Sequence, residues 1–266
     1  DNPKFVPAME PRGIIGIEPV VSINIAGDSR AYPIQILTWH EVVNDVVGGV
    51  PIAVSYGPQC SSVVIFDRRV GGATLEFGIT GRLRLSNIIL YDRETETWWQ
   101  QYTGEGIVGP LTGTRLKIFP MRIESLDRFR ERSPKGQVQV PTSPAMRQYG
   151  QNPYPNYENR EGPGRYFTGP LPKDVPPMTR VVVVGNEAWT LDLVRNRKTL
   201  TSGDLTLSWQ PGQASALDTL MISIGRDIGN VVVQRKTPQG LADVAYMVSF
   251  AFAFRAFNPD GKIHSK

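Results

Sequence analysis

Residues 51–66 read PIAVSYGPQCSSVVIF. Two runs rich in β-branched and aromatic residues, 51–56 and 62–66, flank Gly57-Pro58. Such runs, ended by turn chemistry, read as strands. The same texture extends outward on both sides. Residues 20–25 (VVSINI) stop at Gly27-Asp28, residues 73–79 (ATLEFGI) follow Gly71-Gly72, and 87–91, 95–102 and 116–119 continue the series. The chain is therefore expected to be mainly β, a β-rich α+β protein with few short helices, its sheets forming a sandwich or barrel. One helix is predicted at 34–47 (IQILTWHEVVNDVV), where Pro33 suits the first turn and Gly48-Gly49 the end. At helical spacing Ile36, His40, Val43 and Val47 share a face. A second short helix is predicted at 125–132, stopped by Pro134.

The length of 266 residues allows one large or two modest domains with a real core. The net charge is +4, and basic residues are scattered among acidic ones. Nucleic-acid binding is not expected, because it needs a clustered basic face. The mild positive excess allows peripheral contact with a membrane surface. The longest apolar stretch, 246–257, is broken by Arg255 and is shorter than the about 20 residues of a transmembrane helix. Cys60 is the single cysteine, so no intrachain disulfide forms. With His40 and His264 as the only histidines, a structural zinc site is not expected. The opening DNPKF, without an initiator Met, reads as a processed start from which a targeting segment has been removed.

From 134 to 177 proline is frequent, and Tyr149, Tyr154, Tyr157 and Tyr166 stud the stretch. It reads as a long connection that its tyrosines pack along the body. Beyond it the earlier pattern returns. Residues 181–184 with Gly185-Asn186 match 20–25 with Ala26-Gly27; 205–209 followed by QPGQAS match 53–56 followed by GPQCS; and 225–231 match 68–73. This reads as an internal duplication. It divides the chain into a first β unit at 1–133, a connection at 134–178 and a degenerate second unit at 179–266. Where the first unit has His40-Glu41 and Cys60, the second has 199–202 and Ala214. Chemistry is expected in the first.

Its polar residues make up the candidate site: Arg30, His40, Glu41, Asn44, Asp45, Tyr56, Cys60, Asp67 and Arg68. His40 and Cys60 are the candidate metal ligands. A Cys–His pair suits copper, or a nucleophile with its base. The same two residues also read as a buried apolar filler and a hydrogen-bonded core histidine. Asn44 and Asp45 suit backbone capping at a helix end. Asp67 with Arg68 suits a turn-locking ion pair, and Arg30 suits pairing with Glu41 or Asp45. Trp98-Trp99 on a strand would send one ring to each face. Nothing sets the separation of Glu96 and Glu105, so a carboxylate-pair hydrolase has no support. Phosphate-loop and dinucleotide fingerprints are absent.

Arg30-Ala31-Tyr32-Pro33, the run Trp39-His40-Glu41-Val42-Val43-Asn44-Asp45, the turn Tyr56-Gly57-Pro58-Gln59-Cys60-Ser61-Ser62, and Asp67-Arg68 together resemble a bacterial and archaeal family, domain of unknown function 3179. Tyr91-Asp92-Arg93 and Gly109-Pro110-Leu111-Thr112-Gly113 extend the resemblance over nearly the whole chain. It implies an exported protein, periplasmic or extracellular. It also implies a Cys-Pro-x-Cys motif after the tyrosine, with selenocysteine first in some members, which points to thiol exchange or a soft metal. Here Gly57 holds the first position and only Cys60 remains, so a two-thiol cycle within the chain is impossible. The resulting expectation is an extracytoplasmic non-enzymatic module, an accessory or structural subunit that meets a protein partner in a cell-envelope assembly. The alternative is a single-site copper-binding or thiol-dependent redox protein using Cys60 and His40.

Overall fold

The computed structural model describes residues 1–11, 13–165 and 167–266. Strand Pro19–Ile25 turns back on Asp28–Pro33, and helix Ile34–His40 follows. The helix predicted at 34–47 stops there. Glu41 takes a left-handed conformation (φ 59°), and Val42–Val47 is a strand paired with Val50–Gly57. The valines explain this: a β-branched side chain loses rotamer freedom in a helix and fits a pleated surface. Gly48 and Gly49, at φ 53° and 78°, are the two-residue turn of this hairpin and not a helix stop. The second predicted helix is present as Leu126–Arg132, with Ser125 as its N-cap accepting from the Arg128 amide.

Strand Ser62–Asp67 pairs with Val50–Gly57. Later, Arg122–Ser125 pairs antiparallel with Pro19–Ile25, and after helix Leu126–Arg132 strand Gln137–Val140 runs parallel to Asp28–Pro33. The same succession then recurs. Arg180–Val184 turns back on Glu187–Thr190, helix Leu191–Arg197 follows, and Thr199–Ser202 forms a hairpin with Leu205–Gln210. Asn230–Thr237 pairs with Leu205–Gln210, Met247–Phe250 runs antiparallel to Arg180–Val184, and after helix Ala251–Phe257 strand Lys262–His264 runs parallel to Glu187–Thr190. Individual hydrogen bonds repeat too. Tyr56 N donates to Glu41 O at 2.9 Å and Trp209 N to Lys198 O at 2.8 Å; Leu126 N donates to Glu18 O at 3.0 Å and Ala251 N to Thr179 O at 2.8 Å.

This register corrects two sequence matches. The counterpart of Ser62–Asp67 is Asn230–Thr237, so residues 225–231 do not answer to 68–73. The counterparts of His40 and Glu41 are Arg197 and Lys198, not 199–202, because both helices have seven residues and both are followed by a residue at positive φ. Strand Gln137–Val140, beyond residue 133, pairs with Lys4–Pro7 and with Asp28–Pro33.

The units share one sheet of nine strands, joined where Ile123 faces Val231. One apolar core gathers Tyr32, Leu37, Val54, Leu207 and Val233 from both units. A second gathers Cys60, Phe66, Trp99, Phe250, Phe252 and Phe254. An insertion in the first unit carries a four-stranded sheet, Phe77–Arg84, Asn87–Asp92, Trp98–Gln100 and Glu105–Val108. On it Trp99 is buried, while Trp98 lies half exposed beneath Arg82. In the connection Tyr157 is buried, Tyr154 and Tyr149 are half buried, and Tyr166 lies outside the described residues. Among the described residues no helix is long and apolar enough to cross a membrane.

Candidate functional site

Pro58–Cys60 forms one tight turn after strand Val50–Gly57, closed by Ser61 at φ 52°. The turn sends Cys60 inward, where it is wholly buried and its Sγ lies 3.3 Å from the Ser86 carbonyl. Leu85 and Ser86 both sit at positive φ, in the turn between Phe77–Arg84 and Asn87–Asp92. Burial pushes the Cys60 thiol far above its ordinary range, and a hydrogen bond from Asn87 only partly offsets this. A thiol in such surroundings stays protonated and is a poor nucleophile.

Gly57 has a packing reason to be glycine. A Cβ there would stand 2.7 Å from Ser62 Oγ, 2.9 Å from Asn87 Nδ2 and 3.2 Å from Gln101 Oε1. These buried side chains bond one another: Ser62 Oγ donates to Gln101 Oε1 at 2.7 Å, and Asn87 Nδ2 donates to Gln101 Oε1 at 2.8 Å. Gln101 Nε2 donates to the Ser62 carbonyl at 3.1 Å, and Gln100 Nε2 to Asn87 Oδ1 at 2.6 Å. The polar cluster is well satisfied and occupies the space beside Gly57.

The loops that follow the second hairpin of each unit converge on one guanidinium. Arg180 donates from Nη1 to Ser61 Oγ at 3.0 Å and from Nη2 to Ser215 Oγ at 3.0 Å. Its Nε and Nη2 both bond Glu158, the former at 2.9 Å. Ser215 Oγ donates to Glu158 Oε2 at 2.9 Å, and Arg226 Nε stands 3.1 Å from Oε1. Glu158 reaches this place from the connection, and its side chain has no exposed surface. Tyr56, Ser61, Arg180 and Gln213 also line a cavity of about 30 Å³, enough for a water molecule, and the buried Gln213 Oε1 has no hydrogen-bond partner among the described residues. Burial pushes the Tyr56 hydroxyl up, opposed chiefly by Arg180. The sequence reading found Tyr56 but missed Glu158, Arg180 and the two serines. The recurrence of GPQCS as PGQAS was a signal for the serines; nothing local marks Glu158.

The other candidates fall elsewhere. Arg30 pairs with Asp45, Nη1 lying 2.8 Å from both carboxylate oxygens, and not with Glu41. Asp28 holds the rest of the guanidinium, and the Tyr32 hydroxyl donates to Asp45 at 2.6 Å. Asn44 brackets the Phe77 backbone, donating to its carbonyl at 2.8 Å and accepting from its amide at 3.0 Å. It therefore ties a strand to the inserted sheet and caps no helix. Asp67 pairs with Arg69, which holds its carboxyl below the ordinary range, and not with Arg68. Consecutive side chains on extended backbone diverge. Arg68 is buried and donates to the carbonyls of Leu75 and Asp45. Burial raises the half-buried Glu41 carboxyl.

His40 Nε2 lies 2.7 Å from the Tyr149 hydroxyl, and the two rings stack. Burial, then Arg147, lowers its pKa. His40 and Cys60 thus bond different partners, and among the described residues no three His, Cys, Asp or Glu side chains gather as a metal site. As placed, the pair does not fit a shared copper ion. Glu105 pairs with Arg115, and Glu96 is exposed.

No curated protein and no solved structure matches the chain. A family model described as "Protein of unknown function (DUF3179)" matches residues 1–261. With nearly all of its length matched, the chain belongs to the DUF3179 family.

Proposed function

We propose that the chain is a non-enzymatic extracytoplasmic module, an accessory or structural subunit of a cell-envelope assembly, and that its two units descend from one duplicated β unit. The filled space beside Gly57 carries this reading. Ser62, Asn87 and Gln101 stand where a side chain at position 57 would begin, and the remaining thiol is sealed in the core. Thiol exchange needs an accessible thiolate. The repeated pairings favour duplication, and the family resemblance favours export.

The decisive experiment replaces Cys60 with Ala in the natural producer. A variant with native melting behaviour and undiminished biological role is the expected outcome. Loss of the role in a normally folded variant would overturn the reading. In vitro, Cys60 in the folded protein should resist a thiol reagent that labels it at once after unfolding. Fast labelling of the native state, or stoichiometric copper lost on Cys60→Ala, would favour the redox or copper alternative. Cell fractionation tests the location, and cross-linking of intact envelopes tests for a protein partner.

A further inference from the structure

The inserted sheet covers a strand in the first unit whose counterpart in the second lies open. Asn44 stands four residues past the helix end at His40, and its side chain grips the Phe77 backbone at 2.8 and 3.0 Å. Thr201 stands four residues past the matching helix end at Arg197. Between Asn230–Thr237 and Met247–Phe250 the second unit has one short strand, Gly240–Asp243, and no sheet like the one that supplies Phe77. Strand Thr199–Ser202 ends the nine-stranded sheet, and among the described residues no strand pairs with its outer side. The Lys198 carbonyl accepts from the Trp209 amide, so alternation along the antiparallel strand turns the N–H and C=O of Thr199 and Thr201 outward. Both threonines are exposed.

An open edge selects an extended peptide, which offers N–H and C=O groups in the same alternation. Thr199–Ser202 contains no proline, no charge and no bulge. The other end of the sheet, Lys4–Pro7, is blunted by a lysine and a proline. Charge narrows the class further. Arg195, Arg197 and Lys198 are exposed where the open strand begins, the first and last resting on the Trp209 ring. Arg235 and Lys236 are exposed beside the hairpin turn where it ends. Against these five cations stand the carboxylates of Asp192 and Asp204, and Asp204 is already paired with Arg235 at 2.8 Å. Two outward residues make few main-chain bonds, so the cations supply much of the attraction and favour acidic side chains.

We propose that the outer edge of Thr199–Ser202 takes up an extended acidic segment of a protein partner as a further strand of the sheet, an inference that rests on the reading of the chain as a subunit that meets such a partner.

The test is NMR titration of the full chain with a short peptide alternating glutamate and threonine, beside one alternating lysine and threonine. Saturable amide shifts at Thr199 and Thr201 are expected from the acidic peptide, weakened by added salt, and none from the basic one. Thr201→Pro removes an outward N–H without removing a ladder bond, and should abolish binding with the melting temperature unchanged. Arg197→Glu, at an exposed position, should weaken binding about fivefold, the worth of one exposed ion pair, and serves even where Thr201→Pro fails to fold. The proposal is overturned by no saturable shift, by equal binding of the two peptides, or by undiminished binding in Arg197→Glu. A dimer of the chain that Thr201→Pro dissolves would also overturn it, since the edge would then belong to a second copy. Cross-linking of intact envelopes separates the edge from the reading beneath it. A partner captured equally by the parent and by Thr201→Pro overturns the edge alone, and a parent that captures no partner overturns both.

Discussion

At the end of its seven-residue helix the first unit places His40 and Glu41, half buried; at the same point the second places Arg197 and Lys198, both exposed. The strand partners around these helices match, so the contrast is local. The connection lies over the first helix end, through Tyr149, and leaves the second open to water. After the second hairpin the first unit returns to the sheet within residues 58–61, whereas the second detours through 211–229. The carbonyl that receives the hydrogen bond from the helix start belongs to the buried Glu18 in the first unit and to Thr179 in the second. Strand pairing is alike in the two units where it builds the common core, and polar chemistry differs where loops and the connection control exposure.

The largest test of this comparison is the joint between the units. Glu158→Ala would leave the buried Arg180 guanidinium without its carboxylate, and a loss of about 3–5 kcal/mol in urea unfolding is expected. A loss below about 1 kcal/mol would mean that the units hold together by apolar packing alone.

Glu18 offers the next effect. Burial pushes its carboxyl from 4.5 up to about 7, with the Ile15 amide and Gln35 pulling the other way. Between those values the native state holds a proton that the unfolded chain releases. This contribution is therefore complete below pH 4.5 and is lost as the pH rises through about 7. Glu18→Gln should be more stable than the parent at pH 8 by roughly 2–3 kcal/mol, with a flatter dependence on pH. Thr179→Ser in the second unit should leave that dependence as it was. An unchanged profile in Glu18→Gln would show that Glu18 is no internal acid.

Position 57 sharpens the contrast between the loops. Gly57→Ala drives a Cβ into Ser62 and Asn87, and a cost of about 1–3 kcal/mol is expected. Gln210→Ala, at the matching register position and exposed, should change stability by less than about 0.5 kcal/mol. Equal effects would contradict the register drawn between the units.

The smallest effect separates the two serines on Arg180. Ser215 accepts from Arg180 and donates to Glu158, while Ser61 is held by Arg180. Ser215→Ala should cost about 1.5 kcal/mol and Ser61→Ala about half of that, measured in parallel melts. A larger cost for Ser61 would move the centre of the joint into the first unit.

Much of the architecture was legible in the residues. The runs at 51–56 and 62–66, their glycine and proline stops and the Ser125 helix start all rest on local backbone preference, which a short window contains. Residues 34–47 defeated that window. Ile36, His40, Val43 and Val47 satisfy helical spacing, while the paired valines and Gly48-Gly49 equally suit a hairpin, and only the partner strand Val50–Gly57 settles the choice. The candidate site was less legible still. Composition and motif selected Cys60, His40 and Asp67, yet the first lies sealed in the core, Tyr149 bonds the second and Arg69 the third. Glu158, Arg180, Ser61 and Ser215 lie far apart along the chain and meet only when both units close on the connection. Strand and turn are written in neighbouring side chains. The company a polar group keeps depends on which distant segment excludes water from it, and only the tertiary structure decides that.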